Sequence, residues 1–140
     1  MVEYTDAQIE AAAKAAHEVN RAYCREIMDD GSHMPWKDTP PNVQASVLSG
    51  VKNIAENPAL MPADSHENWL EYKRAEGWVY SQVKSFPNKT HPCMVPYDQL
   101  PPGQRFKDAI FGIVVRASLG IDHHTAIDVP VVPKSGQLGQ

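Results

Sequence analysis

The chain is poor in cysteine, has no long apolar run and carries no strong excess of either charge. Each shortage removes a class of protein. Its two cysteines, Cys24 and Cys93, stand far apart and fit no CxxC or zinc spacing. A disulfide framework is therefore excluded; a single bridge stays open beside the leading reading, two reduced, half-buried thiols of a cytoplasmic protein. The longest apolar stretch, around Ala109–Leu119, contains Arg116 and is too short to span a bilayer. The start, MVEYTDAQIE, has neither a basic nor an apolar segment, so it does not read as a signal peptide. A formal net charge of -4 argues against nucleic acid and anionic membrane as partners. No P-loop, nucleophile elbow or Ser-His-Asp order is present. No catalytic residue, cofactor or metal is expected, and the chain reads as a non-enzyme.

What is present is an ordinary globular composition, 42% hydrophobic and 21% charged over 140 residues. That length suits one domain with a core of its own. Thr5-Asp-Ala-Gln8 has capping-box spacing and opens a helix expected to reach Met28. Its apolar face is predicted to be Ile9, Ala12, Ala16, Val19, Tyr23 and Ile27, with His17 elsewhere. Thr39 reads as the N-cap of a second helix to Glu56, with Pro40 at its first position. Asp64-Ser-His-Glu67 reads as another capping box, opening a helix to Glu76, where Gly77 supplies a left-handed end. Trp78-Val-Tyr80 is expected as a short extended piece with both rings turned to the core. The stretch to Leu100 holds Pro87, Pro92 and Pro96 and reads as an ordered loop. Pro101-Pro102 opens a fourth helix, with Phe106, Ile110, Ile113, Val114 and Ala117 inward and Gly120 ending it.

The fold class is thus mainly α, a bundle of about four helices with a long proline-containing loop and a short two-stranded piece. One domain is expected over 1–122, with a flexible or partner-docked tail over 123–140. His123-His124 offers adjacent imidazoles but no third ligand at useful spacing, so no metal is assigned there.

Four elements stand in order between His66 and Leu119. They are His66-Glu-Asn-Trp69 at a helix start, Gly77-Trp-Val-Tyr80 at its end, the loop Lys89-Thr-His-Pro-Cys-Met-Val-Pro-Tyr97, and Leu100-Pro101 before a helix. This combination resembles the ryanodine receptor repeat domain, or RyR domain, of the stand-alone bacterial or phage type. The signature covers 64–119. Ser81 stands where the family usually has glycine, and His17–Ile27 is similar to the segment preceding the motif in prokaryotic members. The resemblance implies a small helical module that recognises an adenine nucleotide or a nucleotide second messenger by tryptophan stacking. The motif tryptophan falls on Trp69.

Residue by residue, two readings stand side by side. Trp69 with Lys73 four residues on can stack a base beside a cation, or Trp69 can be core. Tyr80 can offer its hydroxyl to a ligand or pack internally. Lys89, His91 and Arg105, with Lys84, form a basic group around the proline-rich loop, either an anion site or solvated surface with His91 bonding locally. Asn20 and Arg21 on the first helix complete the candidate set, with Asn20 able to read a base edge or to bond backbone. The competing function is a protein-interaction or assembly module without a small ligand, and a homo-oligomer is left open.

Overall fold

A computed structural model describes residues 3–121. The tail expected over 123–140, with His123-His124, lies outside the described residues. Helix α1 spans Asp6–Glu26, α2 Pro41–Glu56, α3 Pro62–Ala75 and α4 Pro102–Leu119. Short 3-10 turns at Trp36–Asp38 and Tyr97–Gln99 precede α2 and α4. Two-residue strands β1, Val79–Tyr80, and β2, Thr90–His91, pair in parallel, Val79 opposite Thr90. Parallel pairing ordinarily needs a long crossover. Here residues 81–89 fold back through a Ser85–Thr90 antiparallel bridge, which lets β2 run on beside β1. The mainly α class with a small two-stranded piece is what the sequence predicts. No helix among the described residues is long and apolar enough to cross a membrane.

Local rules explain most helix ends. The Thr5 hydroxyl accepts from Gln8 N at 3.1 Å and the Gln8 side chain accepts from Thr5 N at 2.8 Å, a complete capping box. At the end of α3, Gly77 takes φ +91°. Its N–H donates to the Arg74 carbonyl, and Trp78 N–H donates to the Lys73 carbonyl. This is a full Schellman ending, which a residue with a Cβ would strain.

Three expected details need correction. Thr39 does not cap α2; Pro40 occupies that place and Pro41 the first turn. The buried Thr39 hydroxyl instead donates to the Pro35 carbonyl at 2.9 Å, closing the 3-10 turn. Helix α3 starts earlier than its expected box. Pro62 opens it, and Asp64 sits at the third position, where its carboxylate accepts from Met61 N at 3.1 Å. Glu67 is left over and accepts from Tyr97 N, tying α3 to the turn before α4. Trp78 and Tyr80 do not share a side: Trp78 is buried and Tyr80 is exposed. Trp78 belongs to the helix ending, so strand alternation does not begin until Val79.

The main core joins α1, α2 and α4 through Ile9, Ala12, Ala13, Ala16, Trp36, Val51, Ile54 and Val115. Each full burial of an Ile or Val there is worth about 1.5–3 kcal/mol. A smaller cluster of Leu70, Trp78 and Met94 sits under α3, with Trp69 packed on it. The faces of α1 and α4 are rotated from the expected ones. Val19 and Ile27 on α1 and Phe106 and Ile113 on α4 are exposed. His17 and Arg116 are buried in their stead. The reason is polar pairing at long range. His17 Nε2 donates to the Met34 carbonyl at 2.6 Å. Arg116 donates to the carbonyls of Pro58 and Leu60 at 3.0 and 2.7 Å. Satisfied in this way, both groups can enter the core.

Candidate functional site

Between the two clusters lies a cleft of about 230 Å³, lined by all four helices and by the loop 78–100. One wall is aromatic. His66 stacks on Trp69 at 5.6 Å between centroids, and His91 meets Trp69 edge-on at 5.2 Å. His91 also stands 6.3 Å from Trp78, which in turn meets Phe86 at 5.7 Å. Trp69 is therefore one plate in a continuous run of rings. The opposite side comes from α2, where Val43 and Val47 alternate with Ser46, Ser49, Gly50 and Asn53. An apolar, aromatic enclosure with a few polar groups is the usual make-up of a small-molecule site.

The hydrogen bonds define which groups remain available. His66 Nε2 donates to the Val95 carbonyl at 2.7 Å, and burial keeps the ring neutral by lowering its pKa. Its Nδ1 therefore carries a lone pair. Asp108 Oδ2 lies 3.9 Å from that Nδ1, too far for a hydrogen bond, and with His66 neutral the contact is no ion pair. Burial raises the Asp108 carboxyl to about 7, opposed only by the Lys107 charge. His91 Nδ1 accepts from Cys93 N at 3.0 Å, which puts its proton on Nε2. Burial, with the charge of Lys84, lowers the His91 pKa to about 3.

Three lysines line the cleft, in different states. Lys73 is buried, with its ammonium 5.3 Å from the Trp78 ring centre and 3.6 Å from Glu76. Lys84 bonds Asp30 and Ser32. Lys107 enters none of the ion pairs among the described residues. Its charge is felt by His33, His66, His91 and Asp108.

The family model of the RyR domain matches residues 38–110. The chain belongs to the RyR domain family. A comparison with curated proteins finds no match. In this RyR domain the matched span holds α2, α3, the loop and the first half of α4, and so the aromatic wall, Lys107 and Asp108. The α1 side of the cleft, with His17 and Asn20, lies outside it.

Of the residues singled out in the sequence, the structure brings Asn20, Trp69, Lys73, Lys84 and His91 to the cleft. Asn20 Oδ1 accepts from the Cys24 thiol at 3.8 Å. The other four lie elsewhere. Arg21 donates to the His33 carbonyl and pairs with Glu18. Tyr80 is on the exposed strand β1. Lys89 donates to the Glu76 carbonyl at 2.7 Å, capping α3 from outside. Arg105 is partly buried, with its Nε unpartnered, and does not line the cleft. Sequence reading missed His66, Lys107 and Asp108 as cleft groups. For His66 the signal was its own motif position; for the other two there was none beyond one polar pair in an apolar helix.

Among the described residues, one cluster has metal-ligand types. Ligand atoms of Cys24, Asp30 and His33 lie within 4.8 Å of one another. The Lys84 ammonium already sits 3.4 Å from Asp30 and serves as its cation. Both cysteines are free and buried, and burial raises both thiols. Neither is poised as a nucleophile.

Proposed function

We propose that this RyR domain is a non-enzymatic binding module for a nucleotide or a nucleotide-derived signal. The base lies along the His66–Trp69–His91 wall, and the anionic part meets Lys107. The observation that carries this reading is that an aromatic wall and an ammonium with no ion-pair partner among the described residues line one half-open cleft. Aromatic faces hold bases of any kind, and a cation adds the phosphate contact. Lys73 contributes by fixing the Trp78 ring, and Lys84 by its charge at the cleft edge.

The test is calorimetric titration with purine mononucleotides and cyclic nucleotides. Trp69→Ala is expected to remove about 1–3 kcal/mol of binding. Trp69→Phe keeps a plane and folds normally. Lys107→Ala keeps the melting temperature and weakens phosphate-bearing ligands but not the nucleosides. Wild-type protein that gives no saturable heat with any of these ligands overturns the proposal.

A second reading has its own support. Val79, Tyr80, Val83 and Phe86 are all exposed within eight residues, Val83 by 70%. Such a patch suits a protein partner. Val83→Asp, tested for loss of self-association by sedimentation, addresses that reading separately.

A further inference from the structure

At the α4 end of the cleft, beside Lys107 and Gln104, two acceptors stand without a protein donor: the Asp108 carboxylate and His66 Nδ1. Both oxygens of Asp108 lack a protein hydrogen bond among the described residues. Its side chain is 19% exposed, so it is neither free in solvent nor enclosed. His66 Nδ1, 3.9 Å away, is a third acceptor, because Nε2–H is committed to Val95. A carboxylate held at the wall of a cleft with solvent as its only donor is open to a ligand's N–H groups. Lys107 acts on it through space only. No protein donor reaches this group among the described residues, and it lines the cleft, where a ligand's donors can take the place of water.

Resting on the nucleotide reading above, we propose that Asp108 selects the base: it takes the donor edge of a guanine, N1–H and the N2 amino group, on its two carboxylate oxygens. The match is the one a carboxylate makes with any planar pair of parallel N–H groups. Adenine presents one donor beside one ring acceptor on either edge, so one of its lone pairs faces a carboxylate oxygen. Hypoxanthine keeps N1–H and lacks the amino group. The order of affinity is therefore GMP, then IMP, then AMP. All three carry the same phosphate and similar stacking area, so Lys107 and the aromatic wall do not separate them.

The experiment is calorimetric titration of GMP, IMP and AMP into the full chain at pH 8.5, where Asp108 is ionised. Wild-type protein is expected to bind GMP about ten- to a hundred-fold tighter than AMP, the range for one good bidentate contact, with IMP between. Asp108→Asn puts an amide donor against guanine's donors. It is expected to fold, to lose affinity for GMP by a similar factor and to leave AMP unchanged or tighter. Melting curves of both proteins confirm folding. If AMP binds wild type as tightly as GMP, or if Asp108→Asn keeps the order, the assignment to Asp108 is overturned while the cleft stands as a nucleotide site. If none of the three binds wild type at millimolar concentration, both fall together.

Discussion

Replacing Asp108 by asparagine tests the cleft without any ligand. Burial raises this carboxyl from 3.8 to about 7. A group whose folded pKa is raised stabilises the fold at low pH. The unfolded chain gives up its proton near pH 4, the folded chain near 7, and between them the fold loses stability as pH rises. Full burial would make this loss about 4 kcal/mol at 1.36 kcal/mol per unit. The side chain is 19% exposed, so water screens part of it and we expect about 1–3 kcal/mol. Asparagine has nearly the same shape and cannot ionise. Urea unfolding at pH 4.5 and pH 8 is the assay. At pH 4.5 the unfolded carboxyl is already largely ionised, so Asp108→Asn is expected to be ahead by up to about 1 kcal/mol. At pH 8 Asp108→Asn is expected to be the more stable by about 1–3 kcal/mol. A difference that does not change between the two pH values would mean that Asp108 is solvated normally, and the argument for its missing donors would fail with it.

The histidines set the opposite slope. Burial and the Lys84 charge lower His91 to about 3 and His33 to about 4, from 6.5. Their contribution is complete above pH 6.5 and is lost as pH falls toward those values. The melting temperature is expected to drop between pH 6.5 and 4, less steeply in His91→Gln; an equal slope in the variant refutes this. Gly50 and Phe111 face each other across α2 and α4, and a Cβ on Gly50 would lie 3.0 Å from the ring. Gly50→Ala gains about 1 kcal/mol in helix propensity and loses about 1–3 kcal/mol by crowding. The net loss of stability is expected to be about 0–2 kcal/mol, and because both residues line the cleft nucleotide affinity is expected to fall as well, read by melting and titration together. Arg116→Met leaves the Pro58 and Leu60 carbonyls without donors. It is expected to cost about 2–4 kcal/mol in urea unfolding, and a loss under 1 kcal/mol would show that water replaces the guanidinium.

How far the sequence reveals this molecule follows from the range of the forces involved. Thr5 with Gln8, Gly77 and Gly120 act within one turn, so their roles show in the letters alone. The four-helix count rests on these and on apolar spacing, and the RyR domain motif adds the order of α3, the loop and α4. The faces of α1 and α4 were misread because apolar periodicity treats every charged residue as solvent-facing. His17 finds its acceptor 17 positions on, and Arg116 finds its two acceptors 58 and 56 positions back. No window of a few turns contains such a pair. Small residues add to the effect: Ala12, Ala13 and Ala16 contribute little to an apolar count yet are fully packed.

The same limit divides the candidate site. Trp69 and His91 stand out because rare residues in a motif are conspicuous singly. Asp108 is legible only as a pair with His66, whose proton is fixed in turn by the Val95 carbonyl. Three segments must meet before that pair of acceptors exists. Lys89 shows the converse. Its position in the basic loop suggested an anion site, yet its ammonium is used 13 positions back, on the Glu76 carbonyl at the end of α3. A cation that completes a helix terminus has a structural partner already. Lys107, one residue from Asp108, enters no ion pair among the described residues, and it is for this reason, and not for its place in a motif, that the anionic end of a ligand is assigned to it.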